Sequence, residues 1–188
     1  ESGEILPELK IHYVTLGTPQ KDKNGQVTNA VIINHGTGGS NTQFLSRGFA
    51  GVLFGKDQLL DADKYFIVIP DNIGHGASSK PSNGLHAKFP HYCYHDMIDT
   101  QYRLLTEKLG VNHLRLVMGT SMGGMHSWLW SEMYPEGRDA ARPLAGVAGE
   151  IAGGNREVGR RGSGTRRNGT EWRDGDRKTQ AERGMDTA

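Results

Sequence analysis

The segment Gly119-Thr120-Ser121-Met122-Gly123 places a serine between two glycines, each two residues away from it. An apolar run, residues 114–118, precedes the segment, and a stretch typical of a helix, residues 125–134, follows it. A serine in a sharp strand-to-helix turn needs both glycines, because larger side chains would collide there. The pattern predicts a nucleophile elbow in which Ser121 attacks an acyl carbon and the Met122 N–H stabilises the oxyanion. The alternative is a tight glycine-rich turn with an unreactive serine.

A second glycine-rich segment, His35-Gly36-Thr37-Gly38-Gly39, follows the short apolar run 30–34. A loop after an early central strand supplies the second oxyanion donor in enzymes that use a nucleophile elbow. We therefore expect the Thr37 N–H to be that donor, and the backbone of Gly36 and Gly38 to contact the substrate. The alternative is a plain glycine turn without a catalytic role.

Three apolar runs, residues 30–34, 65–70 and 114–118, have the composition of strands that are covered on both faces. Each run ends in a polar turn that contains glycine. Residues 9–16 instead alternate between apolar and polar, which is typical of a half-buried antiparallel strand. Because ligands bind beyond the carboxyl ends of parallel strands, we expect the three turns to converge on one site.

One amphipathic helix is predicted between the second and third runs. Its apolar face repeats at helical spacing, and Gly110 stands where a C-terminal cap belongs. The residues of that face are Ile98, Tyr102, Leu105 and Leu109. Buried strands that alternate with helices predict an α/β fold with a mostly parallel sheet.

Three anchors carry a resemblance to a known family: residues 35–39, residues 71–81, and the stretch from Asp96 and Met97 through Leu105 and Leu109 to residues 119–130. On these anchors, residues 5 to about 145 resemble the α/β-hydrolase superfamily and, within it, the homoserine O-acetyltransferase-like branch. The resemblance implies a Ser…Asp…His triad in that chain order, with Ser121 as nucleophile and the Thr37 and Met122 amides as the oxyanion hole. It also implies an acyl-enzyme route, in which an ester or acyl-CoA acylates the serine and water or an alcohol removes the acyl group.

Two further side chains are expected near the substrate. His75 follows the second apolar run, and we expect it at the rim of the site, with a structural role as the alternative. Trp128 is expected to line an acyl pocket, with packing as the alternative. The mechanism requires no cofactor and no metal, and the single cysteine, Cys93, excludes an internal disulfide.

The sequence departs from the family pattern at the other two triad positions. The family's histidine lies far beyond the nucleophile, whereas the last histidine here is His126. It stands five residues after Ser121, about 140° round a helix from it, and is not expected to reach the serine oxygen. Asp174, Asp176 and Asp186 are the remaining late aspartates, and none is assigned as the triad acid. The triad Asp and His are therefore not identifiable in this chain.

Charge changes abruptly along the 188 residues. Residues 1–136 carry 11 Lys and Arg against 13 Asp and Glu, whereas residues 137–188 carry 11 against 8, among them 10 arginines. The last part is rich in glycine and poor in large apolar side chains, a composition that disfavours a packed core. We expect residues 1–148 to form the N-terminal half of an α/β-hydrolase core. Residues 149–188 are expected to be the eroded start of a cap region or a disordered Gly/Arg-rich tail.

An α/β sheet that is incomplete on its C-terminal side would leave apolar surface and a strand edge uncovered. The isolated chain is therefore expected to be marginally stable or to associate, with a homo-oligomer as one outcome. No apolar run approaches the roughly 20 residues that span a bilayer, so no membrane partner is expected. Because the chain begins at Glu1, it is expected to be processed or a fragment. A soluble protein, either cytoplasmic or secreted or periplasmic after signal removal, is expected.

The favoured function is a serine-dependent acyl ester hydrolase, since glycine follows His35 where acetyltransferases of the branch more often have alanine. One alternative is a homoserine O-acetyltransferase-type acyltransferase, and another is a truncated, non-catalytic remnant of the fold. Substrates are expected to be small acyl esters or acyl-CoA. Nucleic-acid binding through the Arg-rich tail is not expected, because eight acidic residues dilute its charge and no aromatic residues alternate with the arginines.

Overall fold

The computed structural model describes residues 4–145. Its strands are β1 (Tyr13–Leu16), β2 (Ala30–Asn34), β3 (Phe66–Pro70), β4 (Leu116–Thr120) and β5 (Ala141–Leu144). Its α-helices are α1 (Thr42–Leu45), α2 (Arg47–Leu53), α3 (Tyr94–Arg103) and α4 (Met122–Met133). A π-helical turn, Leu104–Lys108, continues α3, and 3₁₀ turns form at Pro81–Asn83, His86–Lys88 and Pro135–Gly137. Within this range, no helix is both long and apolar enough to cross a lipid bilayer.

The five strands form one sheet in the order β1-β3-β2-β4-β5. Strands β3, β2, β4 and β5 are parallel, and β1 pairs with β3 in the antiparallel direction. The predicted α/β fold, its mostly parallel sheet and its antiparallel N-terminal strand are confirmed. Because β3, β2 and β4 are neighbours, the turns that follow Pro70, Asn34 and Thr120 leave the same edge of the sheet.

Strands β2 and β3 are buried along their whole length, which explains why both read as continuous apolar runs. On one face, Ile32 of β2 packs in a cluster with Ile98 of α3 and Trp130 of α4. On the other face, Ile33 packs in a cluster with Phe44 of α1. Burying side chains of this size stabilises the fold by roughly 1.5–3 kcal/mol each. The sheet is therefore covered on both faces, as an α/β fold requires.

The N-terminal strand is shorter than the predicted residues 9–16, because β1 begins only at Tyr13. Before it, the Lys10 N–H donates to Ser79 Oγ and the His12 N–H donates to Ser78 Oγ, both at 2.9 Å. Side-chain hydroxyls of the loop after β3 thus take the N–H groups that a strand ladder would use. Alternation in the sequence cannot distinguish these two kinds of partner.

The helix predicted between the second and third strands is confirmed. Ile98 and Leu105 are buried in one cluster, against which Tyr102 and Leu109 pack, and Gly110 follows with a φ of +65°. Strand β4 lies two residues later than the predicted 114–118.

Helix α4 begins at Met122 rather than at residue 125, because the N–H groups of Gly124 and Met125 donate to the Ser121 carbonyl and close a turn earlier. The predicted boundary between residues 148 and 149, and the Gly/Arg-rich segment after it, lie outside the described residues.

Candidate active site

Ser121 occupies the single residue between β4 and α4, with φ +54° and ψ −116°. A positive φ is uncommon for a residue with a side chain and costs of order 1–3 kcal/mol. The surrounding hydrogen bonds maintain it. The Ser121 N–H donates to the Leu144 carbonyl of β5 at 2.8 Å, and its own carbonyl accepts from Gly124 at 2.8 Å. The sharp strand-to-helix turn that the glycine spacing predicts is therefore present.

The two flanking glycines are required by contacts between backbones. A Cβ on Gly119 would lie 2.1 Å from the Gly123 carbonyl oxygen. A Cβ on Gly123 would lie 2.0 Å from the carbonyl oxygen of Asn34, the last residue of β2. Neither contact can be relieved by rotating a side chain, so a side chain at either position would push α4 away from the sheet.

A cavity of about 760 Å³ opens beside Ser121. The loop after β2 forms most of its wall, and the lining residues in the described part of the chain are Gly36, Thr37, Gly38, Gly39, Ser40, Thr42, Gln43 and Ser121. A Cβ on Gly36 would lie 3.4 Å from the Ser121 Cβ, so the loop backbone passes close to the serine. The structure thus brings Gly36, Thr37 and Gly38 close to a serine that lies far from them in the sequence.

Met122 is the first residue of α4 and its side chain is buried. Its N–H stands at the helix N-terminus, where the helix dipole favours negative charge. The Thr37 side chain is exposed at the cavity wall. Their assignments as oxyanion donors stay predictions, as does the assignment of Ser121 as nucleophile.

His35 supports the loop from beneath. It is fully buried, its Nδ1 donates to the Gly36 carbonyl at 2.8 Å, and its Nε2 accepts from the Asn72 N–H at 3.1 Å. A carbonyl can only accept and a backbone N–H can only donate, so the ring proton resides on Nδ1. Burial lowers the pKa of His35 and outweighs the opposing hydrogen bond to Gly36, which favours this neutral ring.

A chain of buried hydrogen bonds continues from His35 into the helices. Asn72 accepts from the Gln101 amide of α3, and Gln101 in turn accepts from Trp130 Nε1 of α4 at 2.7 Å. All of these side chains are almost completely buried. The loop that faces Ser121 is thereby tied to the two helices that cover one face of the sheet.

Asp71 holds the far end of the same loop. Its carboxylate, 2 % exposed, accepts from the N–H groups of Asn41 and Ala77 at 2.6 and 2.9 Å and lies 2.8 Å from the His12 Nδ1. Burial favours the neutral carboxyl group, but the two N–H donors and the His12 ring outweigh it and hold the pKa of Asp71 below its ordinary value. A Cβ on Gly76 would lie 2.1 Å from the same carboxylate. Asp71 is thus an ionised anchor between the loops after β2 and β3.

Two predicted substrate contacts lie elsewhere. His75 is partly buried, its ring 5.1 Å from that of His35 and its Nδ1 donating to the Ile73 carbonyl at 3.0 Å. Trp128 lies on α4 and is 43 % exposed. Neither is among the residues that line the cavity, and their substrate contacts stay predictions.

His126 is fully buried on α4, and neither of its ring nitrogens has a hydrogen-bond partner within residues 4–145. Its ring packs against that of Tyr94 in a T-shaped contact, with 4.9 Å between the ring centroids. Burial, with smaller contributions from His35 and His75, lowers the pKa of His126 to about 3. As the helical spacing predicts, it makes no hydrogen bond to Ser121.

Sequence reasoning did not find Gln43, which lines the cavity, or the Asn72 and Gln101 chain behind His35. The partner of Gln43 on the serine side, Thr120, lies 77 residues away, and the partner of Gln101, Asn72, lies 29 residues away, so no local spacing indicates these contacts. No group of three or more His, Cys, Asp or Glu side chains within residues 4–145 is arranged to hold a metal ion.

A serine in a strained strand-to-helix turn, facing a glycine-rich loop across a cavity, is the arrangement of one large family, and the comparison of sequences agrees. The sequence model of the α/β-hydrolase fold family matches residues 29–140. The chain belongs to the α/β-hydrolase fold family.

Its relatives include both hydrolases and acyltransferases. A homoserine O-acetyltransferase of Chlorobaculum parvum is 35 % identical over 158 residues, covering 79 % of this chain and 42 % of that protein. An ethyl acetate hydrolase of Pseudomonas veronii is 32 % identical over 152 residues, covering 79 % and 41 %. The resemblance to the homoserine O-acetyltransferase-like branch is confirmed.

Among solved structures, an acetylester hydrolase from Corynebacterium glutamicum superposes with a TM-score of 0.70 at 29 % identity. The match covers 81 % of this chain and 42 % of that one. The chain therefore spans about two fifths of the length of the proteins it matches.

Proposed function

We propose that the chain is the N-terminal part of a serine-dependent acyl ester hydrolase that forms an acyl-enzyme on Ser121. The observation that carries the proposal is the conformation of Ser121, held at φ +54° on the N-terminus of α4 against a cavity walled by the Gly36–Gly39 backbone. Strain of this kind persists only where the surrounding structure imposes it, and it exposes the serine oxygen to a ligand.

In the proposed first step, Ser121 Oγ forms a bond to the carbonyl carbon of the ester while its proton passes to a base. The carbonyl oxygen becomes an oxyanion, which accepts hydrogen bonds from the N–H groups of Thr37 and Met122. The carbon–oxygen bond to the alcohol then breaks, and the alcohol leaves with a proton. Water attacks the acyl-serine in the second step, releasing the carboxylic acid and regenerating the serine.

Small acyl groups are the proposed substrates, in keeping with the relatives whose names specify ethyl acetate and acetyl esters. Within residues 4–145, no histidine or carboxylate forms a hydrogen bond to Ser121 Oγ, and catalytic hydrogen bonds of this kind often tighten only when substrate binds. The proposal as a whole needs no cofactor.

Acyl transfer to an alcohol is the second candidate, and the similarity to homoserine O-acetyltransferases supports it. The hydroxyl groups of Ser40 and Thr42 and the amide of Gln43 give the cavity a polar wall, which suits an acceptor alcohol with polar groups. Hydrolysis and transfer share the acyl-enzyme and differ only in what removes the acyl group.

Covalent labelling tests the proposal. A fluorophosphonate probe is expected to label the full chain, and Ser121→Ala is expected to abolish labelling. Ser40→Ala is the matched control, because Ser40 lines the same cavity without the strained backbone, and it should leave labelling intact. Absence of labelling in a folded sample, or equal loss in both variants, would overturn the proposal.

Turnover of p-nitrophenyl acetate, followed with and without an added amino alcohol, separates the two candidates. Acetate as the only acyl product supports hydrolysis, and an O-acetylated acceptor supports transfer. A rate that does not titrate at about pH 6–7, where histidine ionises, supports the non-catalytic remnant instead.

A further inference from the structure

Gln43 lies in α1, directly after the loop that walls the cavity, and one side chain reaches both halves of the site. Its Oε1 accepts from the Gly36 N–H at 3.3 Å, on the loop after β2. Its Nε2 donates to Thr120 Oγ1 at 3.1 Å, on the residue before Ser121. The carboxamide of Gln43 is therefore a direct polar connection between the glycine-rich loop and the serine turn.

The loop is shaped to admit this carboxamide. A Cβ on Gly39 would lie 2.5 Å from the Gln43 Oε1, so the absence of a side chain there leaves room for it. Gly39 also closes a tight turn by donating its N–H to the Gly36 carbonyl at 2.9 Å. Both backbone polar groups of Gly36 thus have partners. Because the Gly36 carbonyl and the Thr37 N–H share one planar peptide unit, fixing the carbonyl also orients the Thr37 amide.

The distance between the loop and the serine is small, because a Cβ on Gly36 would already touch the Ser121 Cβ at 3.4 Å. Oxyanion donors act only when they lie about 2.7–3.1 Å from the developing charge. A connection that fixes Gly36 against Thr120 therefore fixes the geometry on which a stabilised oxyanion depends.

We propose that Gln43 is a positioning residue that sets the separation between the Thr37 amide and Ser121 by linking Gly36 to Thr120. This inference rests on the proposed function, because it assigns Gln43 a part in the same acyl transfer. Gln43 acts through the loop and the turn and need not contact the reacting atoms. Its loss should weaken binding of the transition state more than binding of the substrate.

The first measurement is steady-state turnover of p-nitrophenyl acetate, in which acylation and deacylation of Ser121 both pass through an oxyanion. Gln43→Met, which removes both hydrogen bonds while keeping the volume, is expected to lower kcat for p-nitrophenyl acetate roughly 10- to 100-fold with KM changed less than about twofold. Gln58→Met is the matched control. Gln58 accepts from the Gly55 N–H and donates to the Gly51 carbonyl, both at 2.8 Å, away from the cavity. It should leave both constants unchanged.

The second measurement does not depend on activity. Hydrogen exchange at the Gly36 amide, followed by NMR, is expected to accelerate in Gln43→Met and to stay at the wild-type rate in Gln58→Met. Thr120→Val removes only the acceptor on the serine side, whereas Thr120→Ser retains a hydroxyl. We expect Thr120→Val to slow acylation and Thr120→Ser to preserve it.

Combining Gln43→Met with Thr120→Val separates positioning from a general loss of packing. The double variant should be no slower than Gln43→Met alone, because both changes break the same connection. Additive effects, or a folded Gln43→Met with wild-type acylation and wild-type Gly36 exchange, would overturn the inference. If wild-type protein is not acylated, the proposed function fails, and the exchange measurement alone decides whether Gln43 holds the loop.

Discussion

The turn that carries Ser121 and the loop that faces it, residues 36–41, border one cavity but are held by different kinds of interaction. The turn is fixed by backbone against backbone, since Gly119 and Gly123 allow α4 to contact β4 and the end of β2. The loop is fixed by hydrogen bonds with side chains: His35 donates to a loop carbonyl, and Gln43 and Asp71 accept from loop N–H groups. The turn is thus constrained sterically, whereas the loop that faces it is constrained by polar contacts.

The difference has a physical consequence for how each half responds to change. Backbone atoms in contact cannot move apart without separating whole elements, so the turn should tolerate no added atoms. A hydrogen bond can be lost singly, at about 1–3 kcal/mol when a buried partner is left unsatisfied. Each substitution that removes one hydrogen bond should therefore disturb the loop only in part, whereas a single added side chain should disrupt the whole turn.

The largest loss of stability is expected from Gly123→Ala. The added Cβ would meet the Asn34 carbonyl oxygen at 2.0 Å, and we expect a loss of about 3 kcal/mol or more in the free energy of unfolding. For Gly38→Ala, in the opposing loop, no atom of the described residues lies within 4 Å of the added Cβ, so stability should change by less than about 0.5 kcal/mol. Urea unfolding measures both. Similar losses in the two variants would remove the distinction between the halves.

A smaller but still large effect is expected from Gln101→Met. The change leaves Asn72 Oδ1 without its donor and Trp130 Nε1 without its acceptor, two buried groups that should together cost about 2–4 kcal/mol. Gln26→Met is the control, because Gln26 makes a comparable contact to Asn112 at the surface and should change stability by less than about 0.5 kcal/mol. The urea midpoints of the two variants measure these changes in stability. If Gln101→Met does not change stability, the loop does not depend on this chain of hydrogen bonds.

The sequence predicts the turn better than the loop, for the same physical reason that distinguishes them. Strand β2 is a buried parallel strand and reads as a continuous apolar run, and the Ser121 turn needs glycine at two fixed offsets. Both requirements are local. Gln43 and Gln101, in contrast, resemble surface glutamines until the fold brings Thr120 and Asn72 to them.

His126 has one property that the local sequence predicts and another that depends on the fold. Its spacing from Ser121 predicts that it does not bond to the serine, which follows from the geometry of one helix. Its complete burial depends on packing that includes Tyr94 of another helix, which no pattern within α4 records. The start of β1 is lost for a similar reason, since the hydroxyl groups of Ser78 and Ser79 replace a strand partner.

Asp71→Asn tests the charged part of the loop side, with an expected loss of about 2 kcal/mol at neutral pH. The folded-state pKa of Asp71 lies below its ordinary value, so its contribution is complete above about pH 4 and is lost as the pH falls through the folded pKa. The variant should therefore approach the wild type in acid. Asp22→Asn is the control, since Asp22 also accepts two backbone N–H groups but is exposed, and it should cost less. A constant difference between Asp71→Asn and wild type at every pH would contradict this account.

The smallest effect on stability at neutral pH is expected from His126→Leu, on the helix that follows the serine, because the buried ring makes no hydrogen bond within residues 4–145 that could be lost. In acid, the stability of the wild type relative to His126→Leu is expected to change. An unfolded histidine takes up a proton as the pH falls through about 6.5, while folded His126 stays neutral down to about 3, so the wild type loses stability across that window. The slope for one such group approaches about 1.4 kcal/mol per pH unit. His35 contributes with the same sign, so the informative quantity is the difference in the free energy of unfolding between variant and wild type.

We expect the free energy of unfolding of His126→Leu, measured in urea, to rise relative to that of the wild type between pH 6 and pH 4, above the range where Asp71 titrates. Parallel curves in that interval would mean that the serine half of the site contains no buried neutral base of this kind, and acid sensitivity would then belong to the loop half alone.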